Sequence, residues 1–162
     1  MSSAEQSIDV NVDAATAYDQ WARFESYPRW MEGVVAVEQT GDGRLHWVAR
    51  VKNEVAEVEN ETREWDARIT EQRHGRRISW ESVGGDPDEK PNAGRVTLDP
   101  LGDSACRVTF HIEWEPEEAL AASESYMVAA VNQVVAADLA RFREFIEARA
   151  AETGSGSGAA AA

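Results

Sequence analysis

Two ionisable side chains fall where buried chemistry would need them. Asp138 lies in the middle of the last apolar-periodic segment, within the arc of Val131, Val135 and Phe142. A carboxylate on an apolar helix face must be paired or protonated. It reads either as a general base or hydrogen-bond acceptor facing a ligand, or as half of a structural salt bridge. Arg63 shares its alternation parity with Trp65. It reads either as a cation that orients a carbonyl or carboxylate, or as an edge residue paired with nearby glutamates. Asp138 and Arg63 are the candidate catalytic residues, suited to moving protons and steadying an enolate.

The tryptophans supply a place for such chemistry. Four of the six occupy alternating segments: Trp47, Trp65, Trp80 and Trp114. Residues i, i+2 and i+4 of a strand share a face. Trp47 keeps parity with Leu45 and Ala49, Trp65 with Ala67 and Ile69, Trp80 with Ile78, and Trp114 with Phe110 and Ile112. The indoles are expected to gather on one side of one sheet, as a bulky core or as the lining of a ligand-sized cavity. Pockets are mostly apolar with a few polar groups, which this pattern matches. Trp47, Trp65, Trp80, Tyr27, Met31, Met127 and Val131 are the candidate ligand-binding residues.

Other chemistries find no support. His46, His74 and His111 stand on separate segments and Cys106 is the only cysteine, so no metal site is expected. Gly84-Gly85 lacks the lysine and following helix of a phosphate loop, and Ser79 and Ser82 lie in a strand, not at a nucleophile elbow. No cofactor is expected.

The elements that must position these residues follow from periodicity. Ile8, Val10 and Val12 alternate as a strand, and Asp13 is an N-cap for a helix to about Phe24. Tyr27-Pro28 breaks that helix, and a short second helix is expected over Arg29 to Glu32. Strands are expected over Val34 to Gln39, Arg44 to Lys52, Arg63 to Thr70, Arg76 to Val83, Arg95 to Leu101 and Cys106 to Glu115. The stretch from Glu54 to Glu64 carries five glutamates and reads as an exposed edge or loop. Gly84 to Pro91 reads as a long loop, and Pro116 ends the last strand. One amphipathic helix is expected from Glu118 to Ala151, with a flexible Gly/Ser/Ala tail over 153–162. Hairpin-linked strands give an α+β fold: a curved, antiparallel, seven-stranded sheet closed by the last helix on its concave face.

Composition narrows the partners. A chain of 162 residues is most simply one domain, here 1–152 plus the tail. The net charge of -14 disfavours nucleic acid and acidic membrane surfaces, which recruit Lys and Arg. There is no apolar run of the ~20 residues that a membrane span needs. The first residues lack a signal-peptide pattern, and one cysteine fits a reducing compartment, so a cytoplasmic location is expected. A homodimer stays open.

The order of elements, with these residues, resembles the START-like (SRPBCC) superfamily and its polyketide cyclase/dehydrase branch. The matching stretches are Ser7 to Val12, Phe24 to Met31, Glu64 to Ile69, Arg77 to Trp80, Asn92 to Val96 and Asp138 to Phe142. The resemblance covers about residues 7–150. It implies a helix-grip fold with a pocket between sheet and last helix. It also implies metal-independent cyclisation or dehydration of a polyketide-like chain, or simple carriage of a lipid, isoprenoid or aromatic molecule. In that family a pocket tryptophan matches Trp65, a polar residue of the last helix matches Asp138, and the segment bearing Tyr27 and Met31 forms part of the pocket rim. The family's pocket arginine falls on Ile69, while Arg68 has outward parity.

Overall fold

The computed structural model describes residues 2–51, 61–84, 91–115 and 124–161. The expected acidic stretch before residue 61, the loop at 85–90 and the start of the last helix lie wholly or partly outside them.

Seven strands form one antiparallel sheet: β1 (Ser2–Val10), β2 (Val34–Gly41), β3 (Arg44–Val51), β4 (Glu61–Arg73), β5 (Arg77–Ser82), β6 (Asn92–Gly102) and β7 (Ala105–Trp114). Their spatial order is β1-β7-β6-β5-β4-β3-β2. Every connection from β2 to β7 is therefore a neighbour-to-neighbour hairpin. Only β1 is displaced, carried to the far edge by the helical insertion after it. The glycines of the β2–β3 and β4–β5 turns, Gly43 and Gly75, have φ of 69° and 73°, the left-handed region that a side chain disfavours.

Helix α1 (Ala14–Trp21) starts as expected at Asp13, whose carboxylate accepts from the Thr16 N–H at 3.2 Å. It ends three residues earlier than predicted. The chain then tightens into a 3-10 segment, Phe24–Arg29, which carries Pro28 inside it, so the short second helix begins five residues before its expected place. Proline has no N–H to donate, and the tighter winding of a short 3-10 stretch accommodates it where a longer α-helix would not. β1 begins at Ser2, well before Ile8, because β7 offers a paired partner as far as Trp114.

Helix α2 (Glu124–Ala161) buries Val135, Leu139, Phe142 and Ile146 in the core. It runs past Ala151 into the segment expected to be flexible. Once a helix is nucleated each further residue adds a hydrogen bond, and this carries α2 through the poor helix formers Gly154, Gly156 and Gly158 to the alanines at its end. α2 also covers the free edge of β1: Asn132 Oδ1 accepts from the Glu5 N–H (3.2 Å) and from Gln6 Nε2 (3.0 Å). No helix among the described residues is long and apolar enough to cross a membrane.

The inward residues follow the predicted parity. Leu45, Trp47, Ala67, Ile78, Trp80, Val96, Leu98, Val108 and Phe110 are all buried. The outer face carries the charges. Arg68 donates to Glu81 Oε1 through Nε (2.8 Å) and a terminal nitrogen (2.6 Å), and Asp9 pairs with Arg107 at 2.8 Å.

Candidate aromatic ligand site

Strand register puts Trp47 of β3 directly opposite Trp65 of β4. Their rings are parallel within 3°, with centroids 5.9 Å apart. Trp80 of β5 closes on Trp47 at 5.5 Å. Tyr27 covers both, at 5.7 Å from Trp47 and 6.2 Å from Trp80. Trp80 has room because its β6 partner is Gly94: a Cβ there would meet the indole at 2.6 Å. Trp114 lies half-buried at the end of β7 on the same face.

The aromatic cluster extends into the helices. Trp21 and Trp30 are among the largest fully buried side chains. Trp21 stacks on Phe110 at 5.4 Å, and both Trp21 and Trp30 meet Phe142 of α2 at 5.1 Å. Aromatic pairs of this kind add about 0.5–1.5 kcal/mol each beyond their buried area. Neither Trp21 nor Trp30 was singled out from sequence. Trp21 at the end of the first helical pattern, and Trp30 in a turn, carry no alternation signal.

Each expected binding residue has a definite place. Trp47 and Trp80 are buried in the sheet, and Trp65 is half-buried. Tyr27 and Met31 are fully enclosed. The Tyr27 hydroxyl donates to the Trp21 carbonyl at 2.7 Å, so it is already spent, and burial pushes its ionisation well above the usual phenol range. Val131 packs against the core, whereas Met127, one turn earlier on α2, is 42% exposed.

The two candidate catalytic residues are set apart. Arg63 is exposed on β4, opposite Ala49. Asp138 is 9% exposed and forms an ion pair with Arg141, one turn along α2. Its carboxylate also accepts a backbone hydrogen bond from Glu32. Arg141 in turn donates from Nε to the Trp30 carbonyl at 3.0 Å. Two residues of α2 thus clasp the chain just after the 3-10 segment, immediately behind Trp30 and Met31. Burial raises the Asp138 carboxyl above its ordinary value, and the Arg141 hydrogen bond and charge oppose that rise. Sequence reading left a salt bridge open for Asp138 without naming Arg141, although a spacing of three on a helix was the available signal.

Polar capacity elsewhere on the aromatic face is small. The indole N–H groups of Trp47 and Trp65 are buried without a partner, as are those of Trp21 and Trp30. Ile69 stands directly opposite Trp80 and extends the apolar surface. The histidines lie elsewhere: His46 between Glu64 and Asp66 on the outer face, His111 beside Glu5 and Glu113, and His74 beside Asp19.

A curved seven-stranded antiparallel sheet with a long C-terminal helix and short helices after β1 is the helix-grip architecture of the START-like (SRPBCC) superfamily. Residues 10–145 match the family described as polyketide cyclase / dehydrase and lipid transport, and the chain belongs to that family. It is 37% identical, over 98% of its own length and 99% of the other, to an uncharacterized 17.2 kDa protein of the melC2-rnhH intergenic region of Streptomyces lincolnensis. Among solved structures it is similar to the Zhui aromatase/cyclase from Streptomyces sp. R1128, with a TM-score of 0.69, 16% identity, and coverage of 91% of this chain and 94% of that one. It is also similar to a START superfamily protein from Mycobacterium smegmatis, with a TM-score of 0.66, 13% identity, and coverage of 93% and 97%. At these identities the likeness to solved structures concerns the fold.

Proposed function

We propose that this protein binds a small, largely apolar, aromatic or polyketide-like molecule against the Trp47–Trp65–Trp80 face and promotes its cyclisation or dehydration. The observation that carries the reading is the packing of three indoles and Tyr27 on one concave face, with two indole N–H groups left without acceptors. Such a surface holds a flat molecule by dispersion and burial, and bending a flexible chain on it lowers the entropic part of a ring-closing barrier. In this reading Met31, Met127 and Val131 complete the apolar wall, Arg63 meets the ligand's polar end, and Asp138 acts as the proton acceptor.

A second reading has its own support. The Asp138 carboxylate is held by Arg141 and Glu32, Arg63 is exposed, and position 69 is isoleucine. A site with so little free acid or base favours a carrier that binds the hydrophobic ligand without changing it.

Titration of tryptophan fluorescence with aromatic polyketides, fatty acids and isoprenoid quinones, each mixture then read by mass spectrometry, separates the two. Saturable quenching with a dehydrated or cyclised product supports the enzyme. Saturable quenching with intact ligand supports the carrier. Absence of quenching by every class overturns both.

A further inference from the structure

We infer that the outer face of the sheet docks an acidic surface of a partner protein, through a strip of arginines that crosses β3, β4, β5 and β6.

The chain has a net charge of -14 and only 16 Lys and Arg, yet arginines meet on the outer face of these four adjacent strands. Strand register places Arg44 directly opposite Arg68, and Arg73 directly opposite Arg77. Arg95 of β6 stands opposite Ser79, and so on the diagonal from Arg77, about 7–8 Å away. Alternation sends these side chains outward, because Leu45, Ala67, Ile78 and Val96 beside them are buried. Arg73 joins them through a bulge. Simple alternation from Trp65 would turn residue 73 inward, but the register slips between Ile69 and Glu71 and carries it to the outer face.

Like charges directly opposite one another destabilise a sheet, so the strip does not serve the fold. One member of each pair is neutralised. Arg68 bonds Glu81 Oε1, and Arg77 lies 3.5 Å from Glu71. The guanidinium groups of Arg44, Arg73 and Arg95 have no hydrogen bond or ion pair among the described residues. Arg44 and Arg73 are exposed. Three guanidiniums without anions on a strongly acidic molecule are complementary to carboxylates, which their planar forks can grip in pairs.

The surroundings define the partner further. Glu38, Glu64 and Asp66 stand around His46 on one side of the strip, and Glu5 and Glu113 around His111 on the other. A nucleic acid carries its charge on past the strip and would meet those carboxylates. A compact acidic patch would not. Four strands at ~4.8 Å spacing span about 14 Å, close to three turns of a helix with carboxylates along one face. The strip also lies on the side of the sheet away from the Trp47–Trp65–Trp80 face, so a partner docked here leaves that face uncovered.

The test uses the whole chain and a fluorescein-labelled, alanine-rich helical peptide of about 20 residues with glutamates along one face. Its glutamine counterpart and a single-stranded DNA oligomer are the comparators. Binding is read by anisotropy, and the contact surface by 1H–15N correlation spectra. At about 20 mM salt the glutamate peptide is expected to bind at least about tenfold more tightly than either comparator, and to weaken about tenfold at about 200 mM. Shifts should centre on residues 44, 68, 73, 77 and 95. Arg44→Gln, Arg73→Gln and Arg95→Gln should each weaken binding about threefold. Arg143→Gln makes the same charge change on α2 and should weaken it less than about 1.5-fold. Arg44→Gln and Arg73→Gln each relieve a like-charge pair, so their urea midpoints should be unchanged or raised. Equal binding of the two peptides, shifts confined to other surfaces, or an equal loss with Arg143→Gln overturns the strip as a docking site. Tighter binding of the DNA overturns the partner assigned here. Lowered urea midpoints in Arg44→Gln and Arg73→Gln would assign these arginines to the fold and remove the argument for a partner.

Discussion

The indole of Trp80 lies against the backbone of Gly94, its cross-strand partner, so closely that a Cβ there would come within 2.6 Å of the ring. Gly94 is thus kept bare by the aromatic face and not by a turn, since its backbone has no positive φ. Gly94→Ala must push Trp80 toward Trp47 and Tyr27. Overpacking of this kind costs about 1–3 kcal/mol. Urea unfolding should show that loss, and near-ultraviolet circular dichroism should show a disturbed indole environment. An unchanged midpoint would mean that Trp80 moves freely.

Asp138 is expected to matter more for the clasp than its charge suggests. Asp138→Ala leaves the Glu32 N–H without its acceptor and Arg141 with only the Trp30 carbonyl and the Glu32 carboxylate, and should cost about 1–3 kcal/mol by chemical denaturation. Asp138→Asn keeps an acceptor for the Glu32 N–H and should cost less.

The pH dependence of that site has a definite sign. Burial raises the folded-state pKa of Asp138. The folded protein therefore holds this proton more tightly than the unfolded chain. Stability from this group is greatest below the unfolded value, about 3.9, and falls as pH rises through the raised folded value. The wild-type minus Asp138→Asn difference in unfolding free energy should decline across that window. A difference that rises with pH would mean that Arg141 outweighs burial.

His46 has the same sign in a higher pH range. Hydrogen bonds to Glu64 and then Asp66 hold its pKa above the usual imidazole value. Its contribution to stability is complete below the unfolded value, about 6.5, and is lost as pH rises through the folded one. An NMR titration should place its midpoint above that of a free histidine, and Glu64→Gln should lower it. A midpoint at or below the ordinary value would show that these pairs do not persist in solution.

Cys106 should be inert in the folded protein. It is fully buried on β7, and burial pushes its thiol up to about 11. A thiol reagent such as DTNB at pH 8 is expected to label it only after denaturant is added, because the thiolate is the reactive species. Rapid labelling without denaturant would reveal local opening of β7.

Most of the sheet was readable residue by residue. The parity of Leu45-Trp47, Ala67-Ile69, Ile78-Trp80 and Val108-Phe110 assigned the buried face, since side-chain direction in a strand is a local property. The helix around Phe24 to Glu32 was misplaced because Pro28 fits inside a 3-10 segment, and a proline by itself does not distinguish that from a helix end. Trp21 and Trp30 escaped notice because their burial depends on Phe110 and Phe142, far away in sequence.

By itself the sequence determined the strands and the main apolar positions of the buried face, the α+β class and the family, because these rest on periodicity and on motifs spread along the chain. The tertiary structure alone decided which indoles stack, which glycine must stay bare and what holds Asp138. Those depend on strand register and on contacts such as Arg141 with the Trp30 carbonyl, 111 residues apart. No local pattern encodes a pairing across that distance. It is settled by how the sheet curves and where α2 comes to rest on it.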